Sequence, residues 1–147
     1  MKLIADSGAT KTDWCIGQST SDCRIIHTQG INPFHQSKEH INKVLEEELM
    51  PQLEHTEAIS HIYFYGAGCT PEKSLIMKEA LQILIPQTEI QVESDLLGAA
   101  RSLCGKEPGI ACILGTGSNS CEYDGEKIVS NISPLGYILG DEGSGAY

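Results

Sequence analysis

The sequence predicts an α/β protein in the order βββαβαβα, a mixed sheet with helices packed on it, followed by the truncated start of a second, similar domain. Three observations predict this. The first three apolar runs lie too close together for helical crossovers, so they form an antiparallel meander. Later strands alternate with stretches of helical period. After Lys106-Glu107-Pro108-Gly109 the pattern of strand, small polar turn and strand begins again.

Leu3-Ile4-Ala5 reads as a buried strand, broken at Asp6-Ser7-Gly8-Ala9-Thr10-Lys11-Thr12 and resumed at Asp13-Trp14-Cys15-Ile16. Arg24-Ile25-Ile26-His27 is the third strand, and Gly30-Ile31-Asn32-Pro33 turns the chain toward a helix. Ser37 is its N-cap, Ile41, Val44, Leu45 and Leu49 form its stripe, and Pro51 ends it. Ile62-Tyr63-Phe64-Tyr65 is a strand closing in Gly66-Ala67-Gly68, where small residues let backbone approach a ligand. Thr70-Pro71 is an N-cap followed by proline at the first helical position. Leu75, Ile76, Ala80, Leu81 and Leu84 line that helix, and Pro86 stops it. Ile90-Gln91-Val92 is a strand, Asp95 to Leu103 a helix, and Gly105 its C-terminal cap. In the second unit Ile110 to Leu114 is a strand, Gly115-Thr116-Gly117-Ser118 a turn, and Asp124-Gly125 a tight hairpin. A further helix is expected to open near Gly140-Asp141-Glu142. The domains are therefore residues 1–105, a complete first domain, and 106–147, the opening of a second.

The chain has 147 residues, of which 40% are hydrophobic and 20% charged, enough apolar matter for a core. Ten basic and twenty acidic side chains give a net charge of −10. That balance argues against nucleic-acid binding, which rests on clustered Lys and Arg. A nucleotide site stays open, because backbone N–H groups and Mg²⁺ hold phosphates in acidic proteins too. No apolar run approaches the roughly 18 residues of a membrane span, and no signal peptide is evident. The six cysteines (15, 23, 69, 104, 112 and 121) show no C-x-x-C spacing. They read as free thiols in a cytoplasmic protein. The five His are scattered without metal-ligand spacing. Trp14 reads as core beside the first hairpin.

The Lys11-Thr12 ending of the first turn is not a P-loop, which needs a glycine before the lysine and a helix after it. Gly8, Ala9, Thr10, Lys11 and Thr12 form instead a hairpin tip of small residues, hydroxyls and one ammonium, with Asp6 at its root. It is either an ordinary polar turn or a phosphate loop in which Asp6 holds Mg²⁺ through water. Gly115-Thr116-Gly117-Ser118 carries the same two readings. Asp95, taken alone, is a helix N-cap.

Four segments together resemble a known group. They are Asp6 to Thr12, Glu93-Ser94-Asp95-Leu96-Leu97-Gly98-Ala99, Ile113-Leu114-Gly115-Thr116-Gly117-Ser118-Asn119 and Leu139-Gly140-Asp141-Glu142-Gly143-Ser144. In this order they are similar to the N-acetylglucosamine kinase-like branch of the actin, sugar-kinase and heat-shock ATPase superfamily, which also holds the benzoyl-CoA reductase-type ATPases. The resemblance implies the ribonuclease H-like actin/hexokinase ATPase fold, with ATP and Mg²⁺ as cofactors and an amino sugar as substrate. It implies that Gly8, Thr10 and Thr12 belong to one phosphate hairpin, with Asp6 on the Mg²⁺ side, and Thr116, Gly117 and Ser118 to the other. Asp95 matches the catalytic base that contacts the sugar and accepts a hydroxyl's proton. Asn32 and Asp141 match substrate contacts, although each also reads as a turn or cap residue. Gly136 falls where the sugar kinases carry Gly-Trp-Gly and this chain has Pro134-Leu135-Gly136.

The resemblance also implies that adenosine is bound late in the second domain, so that this chain alone would be inactive. Two other functions stay in view. One is an ATPase activator of a redox enzyme with a bridging [4Fe–4S] cluster, for which Cys104 and Cys121 are the nearest ligand candidates. The other is a non-catalytic sugar-sensing domain. An exposed second-sheet face carrying Ile113, Ile128, Val129 and Ile132 would promote association, of which a homodimer is one form.

Overall fold

A computed structural model of the chain describes residues 1–19, 21–132, 134–136 and 138–145. Five strands form the first sheet: β1 (Lys2–Ser7), β2 (Lys11–Ser19), β3 (Asp22–Gln29), β4 (His61–Gly66) and β5 (Glu89–Ser94). Their order is β3-β2-β1-β4-β5. The β1–β2 and β2–β3 pairs are antiparallel, while β1–β4 and β4–β5 are parallel. The mixed sheet predicted from strand spacing is therefore present.

Alternation along each strand explains the core. Leu3 and Ala5 of β1, Trp14 of β2, and Ile62 and Phe64 of β4 are fully buried on one face. Against them pack α1 (Lys38–Val44) and α2 (Pro71–Leu84). Trp14 is core as expected, its ring 5.6 Å from Phe64 and its Nε1 donating to Thr28 Oγ1 at 3.0 Å. Leaving that indole N–H unpaired would cost about 1–3 kcal/mol.

The predicted N-caps Ser37 and Thr70 form. Ser37 accepts from the His40 N–H and Thr70 from the Lys73 N–H. α1 continues as a π-turn, Leu45–Leu49, and a 3-10 turn, Met50–Gln52, containing Pro51. This keeps Ile41, Val44, Leu45 and Leu49 all in the core. The α2 stripe differs by one residue from expectation. Leu75 is exposed and Met77 is buried with Ala80 and Leu81, because 77, 80, 81 and 84 share one face and 75 lies opposite.

Compactness divides the chain into Met1–Asp95 and Leu96–Tyr147. This break lies ten residues before the expected one at 105. The helix α3 (Asp95–Cys104) contributes Leu96, Leu97 and Ala100 to a core shared with Ala111, Cys121 and Tyr123. Gly105 ends that helix at φ 62°, its N–H donating to Arg101 O at 3.0 Å.

In the second unit β6 (Gly109–Leu114), β7 (Ser118–Tyr123) and β8 (Ile128–Ile132) form an antiparallel sheet. It repeats the β1–β2–β3 meander. Asp124 shapes the β7–β8 turn, Oδ1 accepting from the N–H groups of Glu126 and Lys127 at 2.9 Å each. The expected outward row is corrected in part. Ile113 and Ile128 are partly buried on the core of this unit, whereas Ile110, Leu114 and Ile132 are exposed. A side-chain period of two puts Ile113 on the face of Ala111, so its neighbours Cys112 and Leu114 point away.

The expectation of six free thiols is also corrected. Cys15 and Cys23 are disulfide-bonded, with Cα atoms 6.0 Å apart. The register explains the pairing: Gly17 lies opposite Cys23 and Cys15 opposite Ile25, so the two cysteines are diagonal neighbours on one face. Cys69, Cys104, Cys112 and Cys121 are free. Among the described residues no helix is long and apolar enough to cross a membrane.

Candidate functional site

The strands β1, β4 and β5 are parallel and end in register, Ser7 beside Gly66 and Gly66 beside Ser94. The next residues are the first hairpin tip, the Ala67-Gly68 turn and Asp95. Carboxyl ends of adjacent parallel strands are where open α/β sheets bind ligands. Three of the sequence-predicted elements are thus delivered to one edge by strand register alone.

The hairpin between β1 and β2 exposes Gly8, Ala9 and Thr10. Gly8 N–H closes it on Lys11 O at 2.9 Å, while among the described residues no hydrogen bond engages the N–H groups of Ala9 and Thr10. Two adjacent unengaged amides on an exposed tip of small side chains fit a phosphate oxygen. Thr12 is fully buried, unlike Thr10. Its hydroxyl lies 2.6 Å from Ser7 Oγ and 3.1 Å from Gln29 O, and Ser7 Oγ lies 2.9 Å from Ile31 O. Ser7 and Thr12 therefore brace the tip from beneath and tie it to the turn after β3.

Gly30 is a site residue that sequence reasoning treated only as a turn. Its N–H donates to Thr10 O at 3.1 Å. A Cβ there would come within 2.5 Å of Gly8 O and 2.6 Å of Ala9 O. Its neighbourhood in a glycine-containing turn was the only local signal.

Lys11 Nζ donates to Asp13 Oδ2 at 2.7 Å, and His27 Nδ1 lies 2.7 Å from Asp13 Oδ1. The hydrogen bonds from Lys11 and His27 hold the Asp13 carboxyl below its ordinary value. The same bond to Asp13 raises Lys11, with a smaller contribution from the Asp6 carboxylate. Asp6 is exposed on this face, opposite Asp13 on one side and Tyr65 on the other. An exposed carboxylate at the root of an anion-fitting hairpin suits a hydrated divalent cation.

Asn32 and Gly68 come together. Gly68 has φ 74°, and a Cβ there would collide with the Asn32 side-chain amide. Asn32 is itself held by its turn: its N–H donates to Gln36 Oε1 at 2.9 Å, and its Oδ1 accepts from the Phe34 N–H at 3.0 Å. Beyond Gly68, the Cys69 thiol is pushed up to about 12, first by burial and then by the Asp95 carboxylate. Asp95 is the first residue of α3. A carboxylate so placed can accept a proton from a hydroxyl.

The second unit builds its own cluster. Gly115 N–H donates to Gly117 O at 2.9 Å, and among the described residues no hydrogen bond engages the N–H groups of Thr116 and Gly117. The tip has the same anion-fitting character as the first. Ser118 Oγ donates to Asp141 Oδ1 at 3.3 Å, and Gly145 N–H donates to Gly115 O at 2.6 Å. The Asp141 segment is therefore docked on this hairpin. Among the described residues no helix opens there, contrary to expectation. Gly136, Asp141 and Gly143 have φ of 78°, 67° and 84°, values a right-handed helix excludes. Gly136 O accepts from the N–H groups of Leu139 and Gly140. A groove of about 330 Å³ runs beside Ser118, Ser120, Ile132, Leu135 and Asp141. Cys104 and Cys121 pack in the core of this unit, and burial raises the Cys121 thiol.

No family model matches the chain, and no curated protein is detectably similar to it. Solved structures are. One, from Porphyromonas gingivalis, bears the name "Putative N-acetylglucosamine Kinase"; it is 54% identical over 99% of this chain, with a TM-score of 0.94. Another of that name, from Chromobacterium violaceum, is 18% identical over 99% of this chain with a TM-score of 0.74, a likeness of fold. The chain spans about half of each, 52% and 53% of their lengths. With the four motifs and the mixed sheet in place, the chain belongs to the N-acetylglucosamine kinase-like branch of the actin, sugar-kinase and heat-shock ATPase superfamily.

Proposed function

We propose that this chain is the sugar- and phosphate-binding part of an ATP-dependent kinase acting on an amino sugar of the N-acetylglucosamine or glucosamine type. The observation that carries the reading is the gathering of a phosphate-fitting hairpin, the Asn32–Gly68 pair and Asp95 at one edge of one sheet. In this reading Asp95 accepts the proton of the attacking hydroxyl. The Gly8–Thr12 hairpin and the Gly115–Ser118 hairpin hold phosphate oxygens, with Lys11 adding charge. Asn32, Gly68, Gly136 and Asp141 contact the sugar. Mg²⁺, held through water by Asp6, would neutralise charge on the transferring phosphoryl group. Thr12 supports the first hairpin from inside, since its hydroxyl is buried.

The names of the two similar structures support the substrate class. The test is a coupled kinase assay on the full-length protein with ATP, Mg²⁺ and N-acetylglucosamine, glucosamine or glucose. Asp95→Asn should lower kcat by about 10²–10⁴-fold, the usual contribution of a general base. Turnover in Asp95→Asn within a few-fold of wild type would remove Asp95 from the role of base.

A further inference from the structure

Ser7 is fully buried, and three separate loops of the candidate site meet on it. It ends β1 and leads directly into the hairpin tip at Gly8. Its backbone oxygen accepts the Ala67 N–H at 2.8 Å, which holds the turn that carries Gly68. Its hydroxyl reaches both backbone groups of Ile31, the N–H at 3.1 Å and the oxygen at 2.9 Å. Ile31 is in turn the chain neighbour of Asn32.

A proton count shows that these contacts do not all hold at once. The hydroxyls of Ser7 and Thr12 carry two protons between them, and three contacts need one each. These are Thr12 with Gln29 O at 3.1 Å, Ser7 with Ile31 O at 2.9 Å, and the two hydroxyls with each other at 2.6 Å. At 2.6 Å the hydroxyl pair keeps a proton between its oxygens, so one carbonyl is bonded at a time. Either Thr12 donates to Ser7 and Ser7 to Ile31 O, or Ser7 donates to Thr12 and Thr12 to Gln29 O. The first arrangement closes the turn before Asn32, and the second releases Ile31 O. Gly30 N–H is bonded to Thr10 O at 3.1 Å, so a ligand that fixes the tip also holds Gly30 and Ile31 against Ser7. That favours the first arrangement.

We propose that Ser7 is a positioning residue that couples the two ligands: phosphate seated on the hairpin tip tightens the Ile31–Asn32 turn through the Ser7 hydroxyl, and with it the affinity for sugar. This rests on the sugar-kinase reading above and adds a linkage between its two ligands. Linkage is reciprocal, so sugar raises nucleotide affinity by the same factor.

Calorimetric titration of the full-length protein with N-acetylglucosamine and with glucosamine tests it, each with and without Mg²⁺ and the β,γ-imido analogue of ATP. In wild type the analogue should tighten the bound sugar about 10-fold, within the usual range for coupled sites. Ser7→Ala should bring that ratio to within about twofold of one. Thr12→Val leaves Ile31 O as the acceptor for the Ser7 proton, so the turn is closed without nucleotide. Its ratio should also approach one, but with sugar alone bound about as tightly as wild type binds it beside the analogue. Thr88→Val is the control, removing a buried hydroxyl bonded to Ile59 O at 2.9 Å, ahead of β5 at the opposite end of the sheet. It should lower Tm and keep the wild-type ratio. Thermal unfolding establishes that each variant is folded; if Ser7→Ala does not fold, Thr12→Val decides. A folded Ser7→Ala or Thr12→Val protein with the wild-type ratio overturns the coupling role, as does a control that loses it. A wild type whose ratio is one does the same and leaves the kinase reading standing. A wild type that binds neither sugar overturns the kinase reading and the coupling with it.

Discussion

Gly68 packs its bare Cα against the side-chain amide of Asn32, joining the turn after β4 to the turn after β3. Each residue lies in a different loop, and the sheet order β3-β2-β1-β4 brings those loops to the same edge.

Gly68→Ala follows as a prediction. The added Cβ meets the Asn32 amide and adopts φ 74°, which side-chain-bearing residues tolerate poorly. A destabilisation of about 1–3 kcal/mol is expected. The more specific outcome is sugar affinity weakened at least about 10-fold with nucleotide affinity little changed, read by calorimetry with each ligand. Equal loss of both ligands would mean that the variant disturbs the whole sheet edge.

Gly30→Ala should show the opposite selectivity. Its Cβ would press on Gly8 O and Ala9 O, displacing the first hairpin. Affinity for a non-hydrolysable ATP analogue should fall by about 10-fold or more, with sugar binding less affected. Unchanged nucleotide binding would separate this hairpin from the phosphates.

The Lys11–Asp13–His27 cluster gives a pH dependence. The Asp13 carboxyl is depressed in the folded protein, first by the Lys11 hydrogen bond and then by His27. Its contribution is therefore present above the unfolded carboxylate range, near pH 4, and is lost as pH falls through the lower folded value. Wild type should have a higher Tm than Asp13→Asn at pH 6, by a small margin because the pair is solvent-exposed. The difference should shrink toward zero on acidification. A carboxyl ¹³C titration that places Asp13 above its ordinary 3.8 would contradict the geometry.

Reduction of Cys15–Cys23 should be visible in stability. The bond closes a short loop of sequence separation 8, and the chain-entropy relation puts its effect at about 2–3 kcal/mol. A lower Tm in dithiothreitol, reproduced by Cys23→Ser without reductant, is the expected result. Mass spectrometry after thiol alkylation under non-reducing conditions that labels both cysteines would show the bond unformed.

Much of the secondary structure was legible because its signals are local. Alternation in β1, β2 and β4, the Ser37 and Thr70 caps, Pro71 at the first helical position and Gly105 at the end of α3 each depend on residues within one turn of the feature. The motif segments were legible for the same reason, as short loops between strands with a characteristic residue order.

What tertiary structure decided is of another kind. The core of α3 lies in the second unit because Leu96, Leu97 and Ala100 meet Ala111 and Tyr123, residues of later strands. Ile113 and Ile128 turn inward by strand register, and Cys15 meets Cys23 diagonally across two strands. Gly30 under the first hairpin, Thr12 buried beneath it and Asn32 against Gly68 are contacts between separate loops. By itself the sequence determined the element types, their order and the motif residues, since propensity, capping and periodicity act over a few residues. Which of those residues touch is set by strand order and close packing, which couple segments far apart in the chain.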